Sequence, residues 1–228
     1  MSSRRPEIPL IFLPNDAILP CQLYPMYIQT DADRELLEFA QRTGTPIGFV
    51  QIWDLFDSGE CVPCEVGCTG RIVSQSEENG ALSVLFLGED RFRILGWSET
   101  LRRFPLARVE PFNDFPVDRD FSLDLERYGL QCAFETLMRY RLGLSDANLN
   151  VRFPEDPVSL AFAAAAYLDL ASEVKQELLD MTDTVARLFR VQTLIHMAAL
   201  EAEEEQLNLS DEPAQGVLPE DIDFWSRN

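Results

Sequence analysis

The sequence contains one lysine and one histidine, and this scarcity excludes several kinds of catalytic site. Lys175 follows no glycine-rich loop, so the GxxxxGK[ST] motif that holds nucleotide phosphates is absent. Its position predicts that the lysine side chain lies on the polar, solvated side of a short helix. The lysine of a Ser-Lys dyad must be desolvated to act as a base, so Lys175 is not expected to have that role. His196 lies in a helix-forming segment with no recognisable partner residue, as is typical of a structural histidine. We therefore expect no catalytic residues and no enzymatic activity.

Long apolar runs and basic residues are also scarce. Pro6, Pro9 and Pro14 interrupt the apolar stretch near the amino terminus, so no signal-peptide core is predicted. The longest uncharged helical segment, residues 157–168, is much shorter than the ~20 residues that a membrane span needs. The formal net charge of −20 repels phosphate backbones and anionic lipid headgroups. We expect a cytoplasmic protein with neither nucleic acid nor membrane as a partner.

The cysteines are odd in number, which favours reduced thiols over a disulfide framework. They are Cys21, Cys61, Cys64, Cys68 and Cys132. Cys61 and Cys64 form a CxxC pair, and thiolates at this spacing can hold one zinc ion. Structural zinc needs four ligands, and the remaining candidates form no second pair, so we predict no metal and no other cofactor. A redox-active CxxC would open the helix of a thioredoxin-like unit, which this segment does not do.

A single Asp57-Ser58-Gly59 triplet matches the triplet of aspartic peptidases, in which two such carboxylates share a proton. The sequence contains no second copy, so a turn is the favoured interpretation. A homodimer would supply the second carboxylate, which keeps a peptidase as an alternative. The sequence itself does not determine the oligomeric state.

The first half of the chain, residues 1–117, is predicted to be mostly β with one inserted helix. Short apolar segments are predicted as strands at residues 8–17, 23–29, 47–52, 66–75, 82–87, 91–96 and 106–110. Asn79-Gly80 suits the positive φ angles of a hairpin turn. Thr30 or Asp31 can cap the amino terminus of a helix that ends at Gly44.

Helical periodicity replaces this pattern over residues 118–205. A first long helix is predicted up to about Gly143. Asp156 followed by proline then opens a helix that is apolar nearly all round, which predicts the buried centre of a small bundle. Ser172 is predicted to cap a short helix, and Thr182 with Asp183 to start the last one. Residues 206–228 form an acidic tail that we expect to be flexible.

Several segments resemble the N-terminal, substrate-recognising domain of Lon proteases. In the first half these are IPLIFLPNDAILP at residues 8–20, EVGCTGRI at 65–72 and GEDRFRI at 88–94. In the second half they are SLAFAAAAY at 159–167, VKQELLD at 174–180 and TDTVARL at 182–188. The matches follow the family's order across residues 7–205. Cys21 and Gln29-Thr30 depart from the pattern, in which glycine and Phe-Glu are usual.

The resemblance implies an α+β fold, in which a β-rich, PUA-like pseudobarrel with one inserted helix precedes a C-terminal helical bundle. It identifies the chain as a stand-alone form that lacks the ATPase and protease domains, so no catalytic residue is carried over. The function implied is a non-catalytic protein- or peptide-binding module, including an adaptor or regulator in protein quality control. Its partners would be polypeptide substrates or another protein.

Two groups of apolar residues are candidates for a peptide- or partner-binding site. Trp53, Leu55 and Phe56 follow the predicted strand 47–52 in a segment predicted to be a loop, where large apolar side chains can contact unfolded chains. Tyr24, Met26 and Tyr27 form a second candidate surface. The alternatives are a small-molecule-binding domain with an apolar pocket, or a hydrolase with an unrecognised carboxylate or cysteine site marked by shifted pKa values.

Overall fold

A computed structural model describes residues 6–55, 60–78, 81–116, 123–143 and 152–209 of the chain. The strands are β1 (Glu7–Pro14), β2 (Leu23–Ile28), β3 (Ile47–Leu55), β4 (Glu60–Pro63), β5 (Val66–Glu78), β6 (Ala81–Ser98) and β7 (Leu106–Pro111). The helices are α1 (Asp31–Thr43), α2 (Asp124–Leu142), α3 (Pro157–Ala165), α4 (Ser172–Asp180) and α5 (Thr184–Leu209). The predicted mixture of strands and helices is confirmed. The predicted Asn79-Gly80 turn, the Asp57-Ser58-Gly59 triplet and the tail from residue 210 lie outside the described residues.

The chain divides into two compact units. A strand unit combines Met1–Asp114 with Asp169–Thr182, and a helical unit combines Phe115–Leu168 with Asp183–Asn228. The strand unit therefore includes α4, which contacts β5. The sequence predicted one continuous helical subdomain over 118–205. The structure differs there, because α4 packs on the sheet of the first unit.

The sheet of the strand unit has the order β1-β7-β6-β5-β3-β4, and β2 pairs with β6 beside this path. An additional parallel pairing joins β1 to β3, with Leu10 opposite Gly48 and Phe12 opposite Val50. The pairings of β1, β7, β6, β5 and β3 therefore close into a ring. Irregularities in the pairing interrupt β6 between Ile94 and Gly96, where bulges allow a long strand to bend.

Side chains that alternate along the strands fill two apolar clusters. The smaller cluster contains Ile8, Leu10, Val50, Phe92, Ala107 and Val109. The larger one lies on α1 and β2 and includes Leu13, Ile28, Leu36, Phe49 and Phe86. Since neighbouring residues of a strand point to opposite faces, Phe49 and Val50 enter different clusters. The strands of the ring are therefore covered by apolar contacts on both faces.

Helix α1 begins and ends where local sequence predicts. The side chain of Thr30 accepts a hydrogen bond from the Asp33 amide at 3.0 Å. Gly44 ends the helix in the left-handed conformation, with φ at 66°. Leu36, Leu37 and Ala40 are its buried face. The predicted capping signals are thus confirmed.

Helix α4 is held on the sheet by a partly buried ion pair that the sequence did not predict. Lys175 Nζ lies 2.7 Å from Asp16 Oδ1, and the lysine side chain is only 12% exposed. Asp16 Oδ2 also accepts a hydrogen bond from the Tyr24 hydroxyl at 2.9 Å. The expectation of a solvated lysine was wrong, because the acidic partner lies 159 residues away along the chain. Ser172 is the first helical residue and makes no capping bond, so that prediction was wrong too.

The helical unit consists of α2, α3 and α5 in the described part of the chain. All six residues from Leu160 to Ala165 in α3 are buried, as the apolar sequence predicts. Asp156 caps α3 by accepting from the Ser159 amide at 2.8 Å, which is also as predicted. Helix α2 packs against α5 and ends at Gly143, which has a positive φ. Among the described residues, no helix has the length and apolar character that crossing a membrane requires.

Asp183 caps the amino terminus of α5, so its replacement by alanine should lower the stability of the protein. Its Oδ1 accepts from the amides of Val185 at 2.9 Å and Ala186 at 3.1 Å. We expect Asp183→Ala to lower the free energy of unfolding by about 1 kcal/mol, because two amides lose their acceptor. Urea denaturation followed by circular dichroism measures the change. Asp183→Asn keeps the acceptor and should stay near wild type; equal losses in both variants would contradict the capping role.

Candidate functional site

The β2 residues of the second predicted group are mostly committed to the fold. Tyr24 is half-buried and bonded to Asp16, and Met26 packs against the larger apolar cluster. Tyr27 is exposed. Pro25 lies between Tyr24 and Met26 and has no backbone N–H. Proline occurs in edge strands at positions where the missing N–H would have faced solvent. An added peptide strand would lack a donor there, which disfavours this edge as a binding surface.

Two members of the first predicted group, Trp53 and Leu55, lie on a strand and not in a loop. Strand β3 continues to Leu55, because Trp53 pairs with Val62 and Leu55 pairs with Glu60 of β4. Trp53 is half-buried. The side chain of Leu55 and the whole of Phe56 lie outside the described residues. The structure therefore locates one member of this group, and it places that member at a cleft.

The cleft, which we call the Trp53 cleft, has a volume of about 520 Å³ and lies within the strand unit. One wall carries Trp53 and Cys64, and the Trp53 side chain is hydrogen-bonded to the thiol. Phe112 forms another part, with the Arg93 guanidinium stacked 4.5 Å from its ring centroid. Helix α4 completes the lining with Glu173, Gln176, Glu177 and Asp180. Aromatic, acidic and amide groups thus converge on one open space.

Two residues of the cleft lining, Gln176 and Arg93, each have a buried polar atom without a hydrogen-bond partner. Gln176 is 5% exposed, and its Nε2 donates to the Val66 carbonyl at 3.1 Å and to Asp180 Oδ1 at 3.0 Å. These two acceptors fix the orientation of the amide, so Oε1 is the atom left without a partner. Arg93 Nε is also buried without a partner. Such atoms are rare in folded proteins and often mark water or ligand sites.

Gln51 adds a further polar group on the same side of β3. It is two residues from Trp53, so both side chains leave the same face of the strand. Only 1% of Gln51 is exposed, and neither atom of its amide has a hydrogen-bond partner. A fully buried amide without partners is unfavourable by about 1–3 kcal/mol per group. Burial of Gln51 in β3 is thus unfavourable, and the packing of the strand does not explain it.

Partial burial shifts the pKa values of two groups in the cleft, Asp180 and Cys64. Burial raises the pKa of Asp180, while the bond from Gln176 and the charge of Arg91 lower it and the charge of Glu65 raises it. Burial also raises the pKa of the Cys64 thiol, against the hydrogen bond with Trp53. A nucleophilic cysteine needs a lowered pKa. Cys64 is therefore held as a thiol, which does not favour a cysteine hydrolase.

The other cysteines of the CxxC segment lie in unlike surroundings. Cys61 is exposed on β4, and Cys68 is fully buried on β5, where its Sγ donates to the Thr69 carbonyl at 3.3 Å. Burial raises the pKa of Cys68 far above its usual range. Metal binding requires thiolates. Among the described residues, no group of three or more His, Cys, Asp or Glu side chains is arranged to hold a metal ion.

A second, larger groove of about 1010 Å³ is lined by the start of β1, the end of β7 and inner residues of β5 and β6. Its polar residues satisfy one another: Arg71 Nε lies 2.9 Å from Glu89 Oε1, and Thr69 Oγ1 bonds to the backbone of Asp90. Within the described residues, none of the buried atoms without partners belongs to its lining. The Trp53 cleft is therefore the better candidate site.

Sequence reasoning singled out Trp53 but not the other residues that line the cleft. Arg93 lies in the GEDRFRI segment, and Gln176 and Asp180 lie in VKQELLD, so both segments stood out as family-like. Nothing in either segment indicated that they meet. Phe112 carried no signal beyond its position after the last predicted strand.

Comparison with known proteins gives a consistent result. The model of the family described as ATP-dependent protease La (LON) substrate-binding domain matches residues 7–197. The Lon N-terminal domain protein from Xanthomonas campestris is 21% identical, covering 82% of this chain and 98% of that chain, with a TM-score of 0.58. The N-terminal domain of the Mycobacterium avium complex Lon protease is 17% identical, covering 83% and 98%, with a TM-score of 0.61. At these identities the two structures support the fold alone. No curated protein matches the sequence.

Proposed function

Because the chain belongs to the family of Lon substrate-binding domains, we propose that it is a non-catalytic module that binds polypeptides at the Trp53 cleft. The observation that carries this proposal is the convergence on one cleft of a half-buried tryptophan and buried polar atoms without partners. Binding sites for ligands typically combine aromatic walls with a few polar groups that fix orientation. The partners are polypeptide substrates or a protein, and the location is the cytoplasm.

Trp53 is the residue expected to contribute most to binding. Truncation of a tryptophan in the centre of an interface commonly weakens binding by about 2 kcal/mol or more. Leu55 and Phe56 follow Trp53 along the chain and belong to the same proposed binding group. Tyr24, Met26 and Tyr27 form the weaker candidate, since the first two are tied to the core.

The proposal also includes a PUA-like pseudobarrel, a helical bundle and a role in protein quality control. The closed ring of β1, β7, β6, β5 and β3 supports a PUA-like pseudobarrel. The packing of α2 and α3 against α5 supports a helical bundle. An adaptor or regulator in protein quality control is the role that a polypeptide-binding module without its own chemistry would serve.

The Trp53→Ala variant tests the proposed function. We expect its dissociation constant for a fluorescein-labelled unfolded polypeptide to rise about tenfold or more, since 1.4 kcal/mol corresponds to a factor of ten. Fluorescence anisotropy measures the constant, and thermal unfolding establishes that the variant is folded.

Trp97→Ala is the matched control. Trp97 is also a partly exposed tryptophan of the strand unit, but it packs edge-on against Phe12 and is not part of the cleft lining. Its loss should leave the dissociation constant near that of the wild type. Equal weakening in both variants, or no binding by the wild-type protein, would sink the proposal.

A further inference from the structure

The Trp53 cleft carries an excess of negative charge. Its acidic lining residues are Glu65, just before β5, and Glu173, Glu177 and Asp180 of α4. Among the described lining residues, Arg93 opposes them, and its guanidinium is stacked on Phe112. The neighbouring Arg91 is paired with the buried Asp114. The lining therefore carries four carboxylates against one guanidinium.

A second observation, independent of the carboxylates, also calls for a hydrogen-bond donor. Gln176 lines the cleft, and its amide is held so that Oε1, an acceptor, is the atom without a partner. An acceptor at a cleft is satisfied by an N–H group of a ligand. Asp180, which holds the same amide, has its pKa raised by burial in spite of two nearby arginines, so added positive charge is favourable there.

Aromatic groups make the same cleft suited to a cation on an apolar stem. Trp53 is the aromatic side chain to which positive charge is attracted most strongly. Lysine and arginine side chains bury their methylene stems along apolar surface while the charged head stays in contact with polar groups.

We infer that the Trp53 cleft selects polypeptide segments with a lysine or arginine next to an apolar residue. The charged head lies among Glu173, Asp180 and Gln176, and its methylene stem and the apolar neighbour contact Trp53. This inference rests on the proposed function, because it names the class of polypeptide that the cleft accepts. The overall negative charge of the chain acts in the same direction at longer range.

Three labelled peptides that differ at one central position test the preference. The position is lysine, glutamine or glutamate, and each is followed by leucine. We expect the wild-type protein to bind the lysine peptide about tenfold more tightly than the glutamine peptide, and the glutamate peptide most weakly. The lysine peptide should lose affinity as salt is raised, because exposed charges are screened.

The double variant Glu173→Gln/Asp180→Asn identifies the carboxylates responsible. Asparagine keeps the oxygen that accepts from Gln176, so the variant removes charge with little change in shape. We expect its preference for lysine to vanish while its affinity for the glutamine peptide stays within about twofold. Glu38→Gln, at an exposed position of α1, is the matched control and should keep the preference.

The outcomes separate this inference from the proposed function. Equal binding of all three peptides by the wild type would overturn the charge preference and leave polypeptide binding standing. Binding of none of them would overturn the proposed function itself. If cadaverine, a free diamine, displaces the lysine peptide at concentrations similar to those of the unlabelled peptide, the ligand is a small amine and the polypeptide part is wrong.

Discussion

Replacing Arg91 by methionine is expected to lower the free energy of unfolding by about 3–5 kcal/mol, because it leaves a buried carboxylate without its partner. Arg91 and Asp114 are 4% and 7% exposed and form a direct ion pair. The same guanidinium donates to the carbonyl oxygens of Leu179 at 2.7 Å and Met181 at 2.6 Å. Its loss therefore also removes the groups that satisfy the carboxyl end of α4.

Chemical denaturation measures this change, with Arg71→Met as the matched control. Arg71 is paired with Glu89 at 2.9 Å, but the two side chains are 50% and 38% exposed. An exposed pair of this kind contributes at most about 1 kcal/mol. The double variant Arg91→Met/Asp114→Asn should recover part of the loss, since the two residues are coupled. Similar losses for Arg91→Met and Arg71→Met would contradict the role of burial.

A second large effect is expected at Gly88, where the backbone of another segment leaves no room for a side chain. A Cβ at this position would lie 2.1 Å from the carbonyl oxygen of Leu19. The approach is fixed by hydrogen bonds from the Cys21 amide to Gly88 O at 2.8 Å and from the Gly88 amide to Gln22 O at 2.9 Å. Gly88→Ala must break or displace this contact, at a loss of about 3 kcal/mol of stability.

Gly96→Ala is the control for this prediction, since it lies on the same strand. Its Cβ would meet the tip of the Arg108 side chain at 3.0 Å, and a flexible side chain can move away. We expect a much smaller change in the urea midpoint. A Gly88→Ala protein with a wild-type midpoint would show that the turn before β2 yields more easily than its hydrogen bonds indicate.

The parts of the fold that sequence predicts well are those fixed by neighbours along the chain. Thr30 and Gly44 bound α1, and Asp156 caps α3, through contacts that span only a few residues. Capping oxygens and a left-handed glycine act within one helical turn, so the residue types alone predict them. The buried α3 was predicted for the same reason, because its residues are apolar on every side.

The parts that sequence did not predict depend on partners far along the chain. Trp53 belongs to a strand because β4 pairs with it, and local composition gives no sign of that pairing. Lys175 is partly buried because it pairs with Asp16. The Trp53 cleft joins residues from β3, β6 and α4, so its acidic and aromatic groups come together only in the folded chain. The resemblance to known domains identified the segments that contain these residues, but it did not indicate that the segments lie next to each other.

The return of residues 169–182 to the strand unit has a consequence for the order in which this protein can form. Asp16 contacts Lys175, and Arg91 donates to Leu179 and Met181. These contacts form only after α4 and the residues that follow it have been synthesised, well after the last strand. Closing contacts over such a separation is slow, and until they close the emerging chain leaves Asp16 without its lysine and Arg91 without its two carbonyl acceptors. A nascent chain halted before residue 169 should therefore be sensitive to proteases across its strands, and protection should appear once residue 182 has left the ribosome.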